Sequence, residues 1–155
     1  MQNEFMARAI ALSIENVTSG KGGPFGCVVV RKGKIIAEGV NQVTATNDPT
    51  AHAEIVAIRA ACKALGTFQL DDCELYTSCE PCPMCLGAIY WARPAKLYFA
   101  STAEDAARVG FDDRFIYEQL EVDYDKRTIP AEQMMREEAK RAFALWRESA
   151  KKVEY

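Results

Sequence analysis

The chain has 155 residues and a mass of 17.2 kDa, the size of one compact domain, which predicts a single domain over residues 1–155. Hydrophobic residues make up 49% of the sequence and charged residues 26%, a balance that excludes a mainly disordered chain. The formal net charge is -3, without the basic excess that attracts a phosphate backbone, so we expect no nucleic acid as a partner.

The N-terminal part of the chain predicts a helix followed by a hairpin. Apolar residues recur at helical spacing from Phe5 to Val17, and the glycine-rich segment that begins at Ser19 ends this helix. Two apolar segments, 26–30 and 35–37, flank a Lys-Gly turn. We expect these segments to form two antiparallel strands.

A second helix is predicted after a polar loop over 41–48. Asp48 can cap a helix, and Pro49 can occupy the first helical position without losing a hydrogen bond. The helix should therefore begin at these two residues and end by Gly66.

A strand, a helix and another strand follow. The pattern predicts the first strand over 73–77, the helix from 81 to about 91, and the second strand over 96–100. Such a βαβ unit places its two strands parallel.

The C-terminal part predicts short helices over 103–108 and 115–120 and a long terminal helix over 130–152. The terminal helix offers four apolar side chains for packing: Met134, Phe143, Leu145 and Trp146. The element order predicts an α/β fold, a three-layer α/β/α sandwich whose mixed central sheet has four or five strands and helices on both faces.

The sequence favours a cytoplasmic protein without membrane association. No apolar run approaches the roughly 20 residues that span a bilayer, and Glu4, Arg8 and Glu15 interrupt the segment in which a signal peptide would be apolar. The 6 cysteines should then stay reduced, and clustered thiols are more often metal ligands or redox groups than disulfides. We expect Cys27 and Cys62 to be core thiols.

One histidine and two cysteines form a candidate zinc site. His52 is the only histidine, and Cys82 and Cys85 are spaced so that both thiols share one face of the first turn of a helix. The positive end of a helix favours the thiolate form, which binds metal. An imidazole and two thiolates supply three zinc ligands and leave the fourth position open for water, which is the catalytic rather than the structural pattern.

Glu54 is the candidate proton carrier of this site. It lies two residues after His52, and a carboxylate there could take a proton from the water and pass it to a leaving group. On a regular helix, positions 52 and 54 are about 200° apart. Both side chains can therefore face one site only if that site lies beyond the end of the helix.

Two short motifs match the H-x-E and P-C-x-x-C signature of zinc-dependent nucleobase deaminases: His52-Ala53-Glu54 and Pro81-Cys82-Pro83-Met84-Cys85. Other segments resemble bacterial guanine deaminases of the cytidine and deoxycytidylate deaminase family, and the resemblance covers nearly the whole chain. These segments are 23–26, 47–54, 77–82, 89–93, 111–113, 115–117 and 154–155. The tRNA adenosine deaminases share the central signature, whereas the Phe-Asp-Asp segment and the terminal tyrosine resemble the guanine enzymes.

The resemblance implies a cytidine-deaminase-like fold and the hydrolytic deamination of guanine to xanthine and ammonia. It makes His52, Cys82 and Cys85 the ligands of Zn2+ and Glu54 the proton shuttle. It places five residues around the purine: Asn41, Trp91, Asp113, Tyr155 and, as a stacking ring, Phe25. It also implies a homodimer in which the C-terminal helical segment, about 130–155, closes an active site of its own chain or, when swapped, of the partner.

Several alternatives stay open at this point. Within the family, the chain could be a tRNA adenosine deaminase or could act on another nucleobase or an amino-triazine. In other classes, Cys79, Cys82 and Cys85 begin like an iron–sulfur run, although the expected fourth cysteine is missing. Cys73 together with these three could hold a structural zinc, and Cys82 with Cys85 could form a thioredoxin-like redox pair. None of the three alternatives from other classes uses His52 or Glu54.

Overall fold

The computed structural model describes residues 3–155, which divide into two compact units. The first unit ends at Asp113, and the second spans Arg114–Tyr155. No helix within residues 3–155 is both long enough and apolar enough to cross a membrane. The single domain over 1–155 stays a prediction.

Helix α1 spans Glu4–Thr18, as its apolar spacing predicts. The side-chain oxygen of Asn3 caps it by accepting hydrogen bonds of 3.0 Å from both Phe5 N and Met6 N. Four side chains of α1 are buried along one stripe of the helix: Ala9, Leu12, Ser13 and Asn16.

In the described part of the first unit there are four further helices: α2 Val43–Thr46, α3 Ala53–Leu65, α4 Pro83–Ala92 and α5 Ala103–Ala107. The predicted start of the second helix at Asp48 is wrong. The Asp48 carboxylate accepts hydrogen bonds of 2.8 Å from Thr50 N and 2.7 Å from Thr50 Oγ1, so it stabilises a local turn instead of a helix end. The predicted end is confirmed, because Gly66 follows α3 with a φ of 65°, the left-handed conformation that glycine favours.

Four strands form one mixed sheet: β1 Gly26–Arg31, β2 Lys34–Val40, β3 Cys73–Cys79 and β4 Lys96–Ser101. Their order in the sheet is β2-β1-β3-β4. Strand β1 pairs antiparallel with both neighbours, whereas β3 and β4 are parallel. The predicted hairpin and the predicted βαβ crossover through α4 are both confirmed.

Helices cover both faces of this sheet. Side chains alternate along β1, so Val28 and Val30 pack with α1 on one face. Cys27 and Val29 face the other way, into a core that residues of α3 and α4 complete. The predicted three-layer α/β/α sandwich is therefore confirmed.

The second unit contains α6 Arg114–Glu121, a 3-10 turn Tyr124–Lys126 and α7 Arg136–Glu148. The predicted terminal helix is therefore too long at both ends. Met135 adopts a left-handed conformation with a φ of 53°, which ends any helical path before Arg136, and Ser149 is extended. The apolar side chains expected to pack in this segment are exposed in the chain: Met134, Phe143, Leu145 and Trp146.

Candidate metal centre and active site

His52 lies immediately before α3 in an extended conformation, with φ of -71° and ψ of 158°. Its side chain makes no capping hydrogen bond to the helix. Glu54 lies in the first turn of α3. Because His52 is outside the helical path, the separation of about 200° that a regular helix imposes on these positions does not apply.

Strand β2 and α3 approach closely where the functional helix begins. A Cβ atom at Gly39 would lie 2.2 Å from Ala53 O and 2.6 Å from Ala57 N, so only glycine fits at this point. The missing side chain lets the N-terminal turn of α3 pack directly on the sheet. This contact fixes the segment that carries His52 and Glu54.

Cys82 lies at the N-cap of α4, with an extended backbone, and Pro83 occupies the start of the helix. The prediction that both thiols lie within the first helical turn is therefore wrong for Cys82. Its Sγ accepts a hydrogen bond of 3.5 Å from Cys85 N. The sulfur thus lies at the positive end of α4, where a thiolate is favoured.

The three donor atoms of the candidate zinc site face one another. His52 Nδ1 lies 3.5 Å from Cys82 Sγ and 3.5 Å from Cys85 Sγ. Tetrahedral zinc with ordinary bond lengths separates a nitrogen ligand from a sulfur ligand by about 3.6 Å. Among residues 3–155, this is the one cluster of His, Cys, Asp or Glu side chains arranged to hold a metal. Its donor set and spacing fit zinc.

The two thiols and the imidazole share protons unequally. A hydrogen bond from the Cys85 thiol, together with His52, lowers the pKa of Cys82 to about 4. The same hydrogen bond raises the pKa of Cys85, and burial adds to this effect. Contact with Cys82 raises the pKa of His52. The cluster therefore stabilises the Cys82 thiolate beside a protonated Cys85. A metal ion would displace the proton of Cys85.

Glu54 is buried beside the donors, with 6% of its surface exposed. Burial raises the pKa of its carboxyl group. Thr77 Oγ1 donates a hydrogen bond of 3.2 Å to Glu54 Oε1, and Thr77 is buried in β3. No motif of the sequence indicates Thr77 as a functional residue, because its contact with Glu54 forms only in the folded chain.

Asn41 and Phe25 lie at the ends of adjacent strands. Asn41 N donates a hydrogen bond of 3.2 Å to Phe25 O. The Asn41 side chain is buried, and its Oδ1 accepts a hydrogen bond of 3.3 Å from Val43 N. The Phe25 ring packs edge-on against Phe111, with centroids 4.9 Å apart.

The remaining predicted purine contacts occupy different environments. Burial, followed by the negative charge of Cys82, raises the pKa of Asp113. Trp91 lies in the last turn of α4 and is 63% exposed. Tyr155 belongs to the second unit and is 69% exposed.

The other cysteines do not join the donor cluster. Cys73 and Cys79 lie at opposite ends of β3, about 20 Å apart at the usual rise of a strand. The Cys79 thiol donates a hydrogen bond of 3.6 Å to Thr102 O. These positions contradict the four-cysteine zinc and the iron–sulfur cluster. Cys27 is a core thiol as predicted, and Cys62 is partly buried against the core.

Residues 1–101 match the protein family described as the cytidine and deoxycytidylate deaminase zinc-binding region. Guanine deaminase of Bacillus subtilis is 58% identical over 151 residues, which are 97% of each chain. A crystal structure of that enzyme superposes with a TM-score of 0.96 over 100% of this chain and 99% of its own.

A tRNA-specific adenosine deaminase of Agrobacterium fabrum matches a shorter part, with 44% identity over 92 residues, 59% of this chain and 60% of its own. The region matched to the family contains the three facing donors and Glu54. This chain belongs to the cytidine and deoxycytidylate deaminase family.

Proposed function

We propose that this chain hydrolyses guanine to xanthine and ammonia, as a step of purine catabolism or salvage. The observation that carries the proposal is the buried Glu54 carboxyl beside three facing donors, His52, Cys82 and Cys85. It occurs in a chain that is 58% identical, over 97% of its length, to an enzyme named guanine deaminase.

In this proposal His52, Cys82 and Cys85 hold zinc. When bound, zinc lowers the pKa of a water in its open position and so makes a nucleophile available near neutral pH. The helix end at Cys82 and the close approach at Gly39 fix the two segments that present these side chains. The donors are thereby held in place before the substrate arrives.

Glu54 moves the proton. Burial raises the pKa of Glu54, so its carboxylate is a stronger base that can take a proton from the attacking water and hold it. It delivers this proton to N3 of guanine as the hydroxyl adds to C2, and it then carries the hydroxyl proton to the amino group, which leaves from C2 as ammonia. The Thr77 hydroxyl holds one carboxyl oxygen, which orients the group toward the reacting atoms.

Asn41 and Asp113 recognise different polar atoms of the base. Because Asn41 Oδ1 accepts from Val43 N, its Nδ2 amino group is the donor that remains for O6 or N7 of guanine. The Asp113 carboxylate accepts from N1-H and the amino group. Phe25, held by Phe111, stacks on the purine, and Trp91 contacts its edge.

The C-terminal segment, about 130–155, closes an active site with Tyr155 over the substrate. This part of the proposal is supported by the apolar side chains that the second unit exposes in a single chain: Phe143, Leu145 and Trp146. A homodimer with swapped segments would cover them. The 6 free cysteines support a reducing, cytoplasmic location.

A base is favoured over a tRNA substrate. The tRNA-specific relative matches 59% of the chain, whereas the guanine enzyme matches 97%. The formal charge of -3 also disfavours a phosphate backbone. We therefore propose a free purine base and no nucleic acid as the partner.

A deamination panel tests the proposal through ammonia release. The panel contains guanine, guanosine, adenine, cytosine, cytidine, an amino-triazine and a tRNA anticodon hairpin. We expect guanine to have the highest kcat/KM. Faster deamination of adenosine in the hairpin would make the chain a tRNA deaminase, and faster turnover of cytosine, cytidine or the triazine would also overturn the assignment.

A further inference from the structure

Asn16 is a buried polar residue of α1 for which the proposed reaction has no role. Only 4% of its surface is exposed, and it lies on the same stripe of the helix as Ala9 and Leu12. Burial of an amide costs free energy unless its polar atoms form hydrogen bonds. The partners of Asn16 therefore indicate why a polar side chain occupies an apolar stripe.

Both partners lie next to the proposed purine contacts. Asn16 Nδ2 donates hydrogen bonds of 2.8 Å to Gly23 O and 3.0 Å to Asn41 O. Phe25 N donates to the same Gly23 carbonyl at 2.8 Å, and Asn41 N donates to Phe25 O at 3.2 Å. One amide group therefore ties the segment before Phe25 and the backbone of Asn41 to α1.

The junction between these segments is closely packed. A Cβ atom at Gly22 would lie 2.3 Å from Asn41 O and 2.9 Å from Asn16 Nδ2. Such distances leave no room for a side chain. The Asn41 carbonyl thus accepts a hydrogen bond from Asn16 and packs closely against the bare backbone of Gly22.

We propose that Asn16 is a positioning residue for purine recognition. It acts through Asn41: by holding the Asn41 backbone it directs the side-chain amide toward the acceptors of the base. It also sets the position from which Phe25 stacks. The inference rests on the proposed guanine deamination and adds the residue that preorganises its binding site.

The test compares Asn16→Ala with Ser13→Ala. Ser13 lies one turn earlier on the same stripe, and its Oγ donates only to Ile10 O of its own helix. Loss of two hydrogen bonds should raise KM for guanine by about tenfold or more in Asn16→Ala, with little change in kcat or zinc content. Ser13→Ala should keep the wild-type KM, whatever its melting temperature.

A double-mutant cycle with Asn41→Ala separates positioning from general stability. If Asn16 acts through Asn41, the losses in kcat/KM should not add. Additive losses, or a wild-type KM in Asn16→Ala, would overturn the inference. If Asn16→Ala does not fold, Gly22→Ala places a Cβ atom against the same carbonyl and should raise KM in the same way.

The wild type serves as the reference for the proposed function itself. If it does not deaminate guanine, the proposed function fails, and the same KM comparison is made with the base in the panel that it does deaminate. If it deaminates guanine and Asn16→Ala has the same KM, only the role of Asn16 is overturned.

Discussion

Thr77 Oγ1 donates a hydrogen bond of 3.2 Å to Glu54 Oε1, and both side chains are buried between β3 and α3. A hydroxyl in this position can orient the carboxyl group whether or not it carries a proton, because one oxygen always remains an acceptor. We infer that Thr77 positions the group that moves the proton.

Thr77→Val keeps the shape of the side chain and removes the donor. A hydrogen bond to a charged group contributes about 1.5 to 3 kcal/mol, so we expect kcat for guanine to fall by about tenfold or more, with zinc retained. Steady-state kinetics and metal analysis check this. The matched control is Thr77→Ser, which keeps the hydroxyl, and equal kcat values for the two variants would contradict the role.

Glu54→Gln tests the proton shuttle itself. The amide keeps the size of the carboxyl group but lacks its basicity, and a general acid–base group typically contributes about 10² to 10⁴ in rate. We expect zinc content to stay at the wild-type level while kcat falls at least about a hundredfold. Near-normal turnover would show that another group carries the proton.

Zinc binding is expected through His52, Cys82 and Cys85 alone, with one ion per chain. The two cysteines supply two of the three zinc ligands. Cys82→Ser combined with Cys85→Ser should therefore remove the metal and the activity together. Cys73→Ser is the control, because Cys73 lies at the far end of β3. Metal analysis of the purified proteins decides this, and zinc lost in the control would restore the four-cysteine site.

The spacing of Cys82 and Cys85 is local to one helix end and can be read from the sequence, whereas the link of these thiols to His52, 30 residues away, rests on the match to the deaminase signature. The start of α3 was mispredicted, because Asp48 followed by proline can begin either a helix or a turn, and its carboxylate bonds to Thr50. The contact of Thr77 with Glu54 joins β3 to α3 across 23 residues and depends on tertiary packing.

The position of Asn16 in the sequence already indicates a buried polar side chain. It lies seven residues after Ala9 and four after Leu12, at positions that belong to the apolar stripe of α1. A polar residue there is unusual and indicates buried partners. The identity of those partners, Gly23 O and Asn41 O, depends on how α1 packs on β1 and on the end of β2.

Deletion of Tyr155 tests whether the C-terminal segment closes a site. The side chain is 69% exposed, so its removal should change the melting temperature little. If the tail covers the substrate and excludes water, kcat/KM for guanine should fall about tenfold or more. Tyr155→Phe separates the ring from the hydroxyl, and wild-type kinetics in the deletion would exclude a role for the tail in closure.

Asp113 should determine which purine the site prefers. Burial raises the pKa of its carboxyl group, and a carboxylate removed from water needs hydrogen-bond donors as partners. Guanine offers that partner, because its N1-H and amino group are adjacent donors. 2-Aminopurine keeps the amino group but presents an unprotonated N1, whose lone pair would face the carboxylate.

Asp113→Ala should therefore lower kcat/KM for guanine about 30-fold or more, because it removes charge-assisted hydrogen bonds. This factor corresponds to a loss of about 2 kcal/mol of transition-state stabilisation. The affinity for 2-aminopurine, measured as a competitive inhibitor or a slow substrate, should change much less, since the lost carboxylate repelled its N1. Comparison of the change in kcat/KM for guanine with the change in affinity for 2-aminopurine reports specificity separately from folding. Zinc content should stay unchanged. Equal losses for both bases would show that Asp113 supports the site without reading the N1 position.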